Sequence, residues 1–542
     1  CGGVQWGCQG TSFNAVAWLP RAQPAPCAPK GIAANASPRR ARPIVAMPHK
    51  AAMWCLAAVV VLGGHGGQAS KGGFSTVEVV DSPERRAHHA LSFSGLESTH
   101  EHMGKRQAFA VGVNAAVDLI ISGTALLKAA GLSPSANPKL HDRLWDGAAV
   151  EDSFSYALST GTGSERIYAD ADGFKRLVEA AKALPSKQFF TGGNAALIGQ
   201  HILESSTSRG PREVMLVAGV GPLLAELLHP RVVVPLSGRI DEDEVHLILE
   251  FDKGEVWGDK TAPRANRFIV TNDRTNAEMR PLDIYPEALA DFDATMVVFS
   301  GVHGCEGEPP AVRLAILDKA SAWLLSIPAS LPIHLELASL ADLDFARLIG
   351  EKLVGAVDSL GLNEQELSIL SRAIGGPHME LLESTSFEKP EVAVAADLVH
   401  WLLTQFGAPA GGRLTRVHFH TLHFHLVGSI KGAWATPRGS VACGSLSCSE
   451  RACRVSTMYS NGSYAGRAEL RMPETFSLGT EGDDTVTKVR SFDADAAVVE
   501  WEQGEVQYAL APVLVCTPPE KTVGLGDAIS ASGLECHEFL KN

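Results

Sequence analysis

Near the carboxyl end, Thr522-Val523-Gly524-Leu525-Gly526-Asp527 follows an apolar run at 512–515 and a Pro-Pro turn, and opens into Ala528-Ile529-Ser530-Ala531. A glycine-punctuated turn at the start of a helix aims consecutive backbone N–H groups at one point. The helix dipole adds partial positive charge there, so the turn can hold a phosphoryl group in transit. Asp527 is placed to take a proton from an attacking hydroxyl. These are the parts of a phosphotransferase site, although Asp is also a favoured helix N-cap and the same pattern serves that purpose alone. A Walker-type loop is missing, because Gly104-Lys105 is followed by Arg106 and lacks the upstream Gly.

Polar groups elsewhere extend the pattern. Gly192-Gly193-Asn194 precedes Ala195-Ala196-Leu197; two glycines permit close backbone approach and Asn caps a helix, a geometry that also suits a polyhydroxylated ligand. Asn114 and Asp118 follow the first predicted strand at its carboxyl end, where parallel sheets bind ligands. Glu336 lies inside the apolar run Ile333-His334-Leu335-Glu336-Leu337, and a buried charge is costly unless paired or near a metal. Asn363-Glu364-Gln365-Glu366 follows another strand-like run. Mg²⁺ keeps waters and needs only one or two carboxylates beside substrate phosphates, so Glu336 and Glu366 would suffice with Asp527 nearby. The plainer alternative is a paired core Glu and a solvated Glu at a helix start.

The stretch His418-Phe419-His420-Thr421-Leu422-His423-Phe424-His425 looks like a metal site. Alternation along one strand, however, puts His418 and His420 on one face and His423 and His425 on the other. Ligands split between opposite faces cannot form one tetrahedral site, so no zinc is expected.

The elements that must position these groups follow from hydrophobic period. Strand-length apolar runs recur at 109–113, 215–220, 232–235, 246–251, 296–299, 333–337, 417–426 and 513–515, with helical patterns between many of them, such as 195–204 and 312–325. That alternation predicts a largely parallel α/β/α sheet. Residues 118–186 and 240–271 interrupt the rhythm and predict a smaller lid inserted between strands of the main domain. The 542 residues, 45% hydrophobic and 20% charged, describe a globular protein, and the net charge of -14 argues against a duplex nucleic-acid binder.

Residues 1–105 read as a leader and linker, with order expected from Ala108 and a single catalytic domain over 106–542. Within the leader, Met47 is a candidate start, Lys50 precedes the apolar run 51–62, and small residues follow to Ser70. That is the layout of a secretory signal or signal-anchor over 47–70, implying the endoplasmic reticulum or secretory pathway and association with a membrane through this segment. The run is short for a span, and the cytoplasm is the alternative if it is not a signal. Ten cysteines do not make a disulfide scaffold in a chain of this length. A disulfide within Cys443, Cys448 and Cys453, or from them to Cys516, is expected in an oxidising compartment. Asn461-Gly462-Ser463 is a glycosylation sequon consistent with that compartment.

Taken in order, these stretches resemble the ADP-dependent glucokinases of animals and protists, a branch of the ribokinase-like superfamily. The resemblance is carried by Val111-Gly112-Val113-Asn114 with Asp118, Gly192-Gly193-Asn194-Ala195-Ala196-Leu197-Ile198-Gly199-Gln200, His246-Leu247-Ile248-Leu249-Glu250, Ala265-Asn266-Arg267-Phe268-Ile269, His334-Leu335-Glu336-Leu337-Ala338-Ser339, and the runs 359–367, 418–422 and 522–531. It implies a ribokinase-like three-layer α/β/α domain with a smaller discontinuous α/β lid, closing on glucose and ADP and acting as a monomer. Asp527 would deprotonate the sugar's 6-hydroxyl, while the N–H groups of Gly524, Leu525, Gly526 and Asp527 form an anion hole for the β-phosphate. Glu336 and Glu366, the latter in an Asn-x-x-Glu motif, would hold Mg²⁺ directly or through water. Asn114, Asp118, Gly192, Gly193, Asn194 and His246 would contact glucose. Arg267 would neutralise the nucleotide phosphates, with Asn363 and Val523 beside the nucleotide.

Leu525 stands where the wider superfamily has a small residue or Thr, and the intervals 374–414 and 443–453 match poorly. A related kinase using ATP or fructose 6-phosphate is the nearest alternative. A catalytically silent sugar or nucleotide sensor is the other, and it would be expected to lose Asp527, Glu336 or Glu366, all of which are present.

Overall fold

The run 109–113 and its counterparts 215–218 and 296–299 are apolar at nearly every position, the pattern of strands covered on both faces. The computed structural model describes residues 82–101, 104–205, 210–383, 390–453, 468–482, 484–516 and 524–540, and places these runs side by side in a ten-stranded sheet. From one edge its strands are Val499–Gln503, Val506–Pro512, Phe424–Ile430, Arg416–His420, Ser359–Asn363, Ile333–Glu336, Met296–Ser300, Gln107–Val113, Arg212–Ala218 and Val232–Val233. From Arg416–His420 to Val232–Val233 all neighbours are parallel. The remaining edge is an antiparallel extension.

Alternate residues of Gln107–Val113 serve opposite faces. Ala110 joins Leu317, Phe345 and Val394 of three covering helices. Phe109 and Val111 join Ile198 of helix Asn194–Glu204 and Ala531 of helix Leu525–Glu535. Buried apolar side chains above and below one sheet give the three-layer α/β/α arrangement.

A second, five-stranded sheet has the order Ser164–Ile167, Asn266–Thr271, Val245–Phe251, Ala116–Ser122, Gln188–Gly192. The interruptions at 118–186 and 240–271 hold most of four of these strands, and Gln188–Gly192 lies outside both. This sheet has its own core around Phe154 of helix Gly147–Thr160, which meets Phe251, Trp257 and Phe268 edge-on at centroid distances of 6.0, 6.1 and 6.4 Å.

The chain crosses between the two sheets at Asn114-Ala115, at Gly193, between Val232–Val233 and Val245–Phe251, and at 272–276, and the crossings are bonded to one another. Asn276 Oδ1 accepts from the Ala115 N–H at 3.2 Å and its Nδ2 donates to the Ala115 carbonyl at 3.1 Å. The Ala195 N–H donates to Asn114 Oδ1 at 3.0 Å. Gly193 adopts φ 79°, and a Cβ there would stand 2.6 Å from Ala115 Cα, so only glycine lets these segments meet.

Two expectations need correction, and a third holds in part. Order begins before Ala108: Pro83–Glu101 is a helix, and its Ala87 and Leu91 pack with Val441, Ala442 and Leu446 of helix Arg438–Cys453. Its mostly polar sequence hides the short apolar face. The histidine stretch is a hairpin rather than one strand, because Thr421 Oγ1 accepts from the His423 and Phe424 N–H groups at 2.9 and 3.1 Å and turns the chain. His420 then pairs with His425, and the rings of His418, His420 and His425 lie 5.7 to 6.4 Å apart on one face. Finally, Cys453 pairs with Cys516, but Cys443 pairs with the unforeseen Cys536, leaving Cys448 free and buried. The segment 47–70, the sequon at Asn461 and Val523 lie outside the described residues.

Phe154→Ala would remove the centre of the second sheet's aromatic core. Unfolding in urea should show a loss of about 3–5 kcal/mol for the transition that includes this sheet; a loss under about 1 kcal/mol would mean that the cluster does not hold it.

Candidate active site

Helix Leu525–Glu535 begins at Gly524, which takes φ 68° and offers no side chain to cap the first turn. The N–H groups of that turn therefore stay available to an anion. Asp527 is not the N-cap but the third helical residue, 6% exposed, with Oδ1 accepting from Asn194 Nδ2 at 2.9 Å. Burial pushes its carboxyl up to about 7 and the Glu336 charge adds to that, while the Asn194 hydrogen bond and the Arg451 charge act in the opposite sense. Arg451, from helix Arg438–Cys453, reaches the same turn: a Cβ on Gly524 would be 3.2 Å from its Nη2 and 3.6 Å from Asp527 Oδ2. Leu525 points away, into a cluster with Cys448, Ala452, Val513 and Ile529, so its size does not obstruct the backbone donors.

The last residue of strand Ile333–Glu336 supplies a second buried carboxylate. Glu336 Oε2 is 2.9 Å from His334 Nε2 and Oε1 is 3.3 Å from His420 Nε2. Burial alone would raise this carboxyl, but hydrogen bonds and charge from the two histidines outweigh it and hold it at about 2. His420 shifts up in turn, because the Glu336 hydrogen bond and charge outweigh its burial. Glu366 closes a capping box with Asn363: Asn363 Oδ1 accepts from the Glu366 N–H at 3.0 Å, and Glu366 Oε2 accepts from the Asn363 N–H at 2.8 Å. Glu366 Oε1 accepts from Asn363 Nδ2 and the Ser339 N–H, both at 3.0 Å. Burial leaves this carboxyl raised to about 7 despite the backbone donors. The Asn363 side chain, expected beside the nucleotide, is thus engaged in capping.

On the second sheet, His246 Nε2 is 2.8 Å from Asp273 Oδ2 and Nδ1 is 3.8 Å from Asp118 Oδ1. Burial would lower this histidine, yet Asp273 and other nearby carboxylates raise it to about 10, making it a cation. Asp118 leans on Gly192, where any side chain would overlap its carboxylate.

Seven residues expected at the site line one cavity of about 140 Å³: Asp118, Gly193, Asn194, His246, Arg267, Gly524 and Asp527. Asn114 lines a neighbouring cavity of about 600 Å³ that shares His246. Glu336, Glu366 and Asn363 line neither. Arg451, Asp273, His334 and His420 were absent from the expected set. A positive charge near the glycine turn, or a partner for a buried Glu, could have been sought, but sequence distance conceals which His or Arg supplies it.

Among the described residues, no three His, Cys, Asp or Glu side chains converge as metal ligands. Both oxygens of Glu336 and of Glu366 already accept protein hydrogen bonds. That donor set fits Mg²⁺ held through its own waters, since this ion needs few protein ligands; it does not fit a closed protein cage.

A helix start with uncapped N–H groups and a buried Asp, at the carboxyl edge of a parallel sheet and facing a second sheet, are the parts of a phosphotransferase of three-layer α/β/α fold. The chain belongs to the ADP-specific phosphofructokinase/glucokinase family, whose conserved region matches residues 107–536. It is 38% identical over 468 residues to an ADP-dependent glucokinase of Bos taurus, covering 85% of this chain and 90% of the relative. A probable ADP-dependent glucokinase of Caenorhabditis elegans is 35% identical over 80% of this chain and 85% of the relative. The fold matches a crystal structure of a hypothetical ADP-dependent phosphofructokinase from Pyrococcus horikoshii, with a TM-score of 0.56, 17% identity, and coverage of 80% of this chain and 98% of that one.

A methyl on Gly361 would overlap Glu336 Oε2 and lie 2.9 Å from His334 Cε1, so the carboxylate would have to swing away. Gly361→Ala should lower the thermal midpoint but leave the protein folded at 25 °C by circular dichroism, and lose sugar-kinase turnover by about 10- to 100-fold. Wild-type turnover in this variant would remove Glu336 from the site.

Proposed function

We propose that the chain transfers the β-phosphoryl group of ADP to the 6-hydroxyl of D-glucose, giving glucose 6-phosphate and AMP. The observation that carries this is the cavity in which Asp527 and Gly524 meet Asp118, Asn194 and His246. Asp118 and Asn194 offer groups that hydrogen-bond sugar hydroxyls, and protonated His246 offers a further donor.

Asp527 takes the hydroxyl proton as the sugar oxygen attacks the β-phosphorus. The bond from that phosphorus to the bridging oxygen breaks, and AMP leaves with the bridging oxygen. Charge building on the transferring group meets the N–H groups of residues 524–527 and the Arg451 guanidinium, positioned in advance. Arg267, lining the same cavity, would balance the nucleotide phosphates. Mg²⁺, held through water by Glu336 and Glu366, would neutralise phosphate charge when bound. The second sheet would act as the lid, excluding water that would otherwise compete as acceptor.

The apolar run 51–62 and the disulfides Cys443–Cys536 and Cys453–Cys516 support placement in the endoplasmic reticulum or secretory pathway. Among the described residues no helix is long and apolar enough to cross a membrane, and the segment 47–70 would supply the membrane association.

With ADP and glucose, Asp527→Asn should lower kcat by about 100- to 10,000-fold while ADP binding by calorimetry persists; an unaffected kcat would sink the mechanism. A base must be unprotonated to act, so kcat/KM for glucose should be high above about 7 and fall as pH drops through it. Because the Asn194 hydrogen bond favours the charged form, Asn194→Ala should move that acid limb to higher pH. A limb that stays in place, or moves to lower pH, would assign it to another group.

A further inference from the structure

Arg416 opens strand Arg416–His420, 0% exposed, with its guanidinium 5.6 Å from the Trp434 ring. A guanidinium so far from water needs every donor matched. Its Nη1 donates to Ser359 Oγ at 2.8 Å, Nη2 to Ser440 Oγ at 2.8 Å and Nε to His537 Nδ1 at 2.9 Å. None of these partners is an anion; Glu336 is the negative charge acting on it, and burial still draws its pKa down to about 9.

Each contact has a fixed direction because Arg can only donate. Ser359 Oγ accepts from Arg416, and its own hydrogen is free to go to His334 Nδ1 at 2.8 Å. His334 then carries its proton on Nε2 and donates it to Glu336 Oε2 at 2.9 Å. The opposite tautomer would turn a lone pair toward the carboxylate. On the other arm, Ser440 Oγ accepts from Arg416 and donates to the Gly533 carbonyl at 2.8 Å, in the last turn of the helix that carries Asp527. His537 accepts at Nδ1 and donates from Nε2 to the Ala435 carbonyl at 2.9 Å.

We propose that Arg416 is a positioning residue for phosphoryl transfer: through Ser359 and His334 it orients the Glu336 carboxylate, and through Ser440 it fixes the far end of the Asp527 helix. One buried fork thus sets the two carboxylates of the site relative to each other. The catalytic part of this inference rests on the glucokinase reading; the hydrogen-bond chain does not.

The test uses the full-length protein as wild type, Ser359→Ala and Arg416→Lys. Imidazole ¹⁵N shifts in histidine-labelled protein, with His334 assigned by its loss in His334→Gln, report the tautomer without substrates. Wild-type His334 should be protonated at Nε2 alone, and Ser359→Ala should shift its Nδ1 resonance, because that nitrogen loses the hydroxyl it accepts from. Ser359→Ala, which removes one oxygen from a folded core, should lower kcat and raise the half-saturating Mg²⁺ concentration, each by about tenfold, while the glucose KM changes less than about twofold. Arg416→Lys keeps the charge but not the fork, and should show the same split. Wild-type kcat and Mg²⁺ dependence in Ser359→Ala, or an Nδ1-protonated His334 in the wild type, would overturn the proposal. A wild type inactive with ADP and glucose would instead overturn the functional reading, and the tautomer would still decide the chain.

Discussion

Three carboxylates, Glu336, Glu366 and Asp527, are buried at one edge of the large sheet, and the cost of keeping them out of water shapes what surrounds them. Each is treated differently. Glu336 receives two histidines and is held at about 2, an anion at any working pH. Glu366 receives backbone and amide donors but no cation in hydrogen-bond contact, and is raised to about 7. Asp527 has one amide and a nearby arginine, and is also raised to about 7. Environments that push like groups apart in this way separate a permanent charge from a group poised to exchange a proton. The least satisfied carboxylate, facing the cavity, is the one suited to act as base.

The topology explains why the site lies between two sheets. The chain enters the second sheet straight from the central strand Gln107–Val113 and returns from it twice, so Asn114, Gly193 and Asn276 are joints before they are ligands. Asn276 and Asn114 bond the crossings to one another through backbone groups, which keeps a narrow, well-defined connection. Movement of one sheet against the other would pivot there, with Asp118 and His246 on one side and Asp527 on the other. The disulfides to Cys516 and Cys536 hold both ends of the segment carrying Asp527 to helix Arg438–Cys453, which also supplies Arg451.

How much of this could be read from the residues depended on whether the deciding contact was local. The glycine turn before Asp527 and the Glu inside an apolar strand are local anomalies, and both mark the site. The Asn-x-x-Glu of 363–366 is equally local, but the pattern is that of a capping box, and the structure uses it as one. Where a turn lacks Gly, Pro or Asn, as at Thr421-Leu422-His423, alternation carries on through it and misassigns faces. The pairing of Cys443 with Cys536 spans 93 residues and could not follow from spacing. Arg416 and Arg451 were invisible for the same reason: an Arg in a strand or helix carries no signal until the fold shows which groups it meets.

The helix start at Gly524 shows what the site requires of local stability. Ser, Thr or Asp at that position would satisfy an orphan N–H and, relative to Gly, stabilise the helix by roughly a few tenths of a kcal/mol. It would also occupy the donors that an anion must reach, and would place a Cβ at φ 68°, 3.2 Å from Arg451 Nη2. The helix is held instead by tertiary ties: Asn194 to Asp527 at its first turn, Ser440 to Gly533 near its last, and the disulfide at Cys536 just beyond. Anchoring from outside leaves the first-turn N–H groups without a side-chain cap, so the helix is fixed in place while its start remains free to bind an anion.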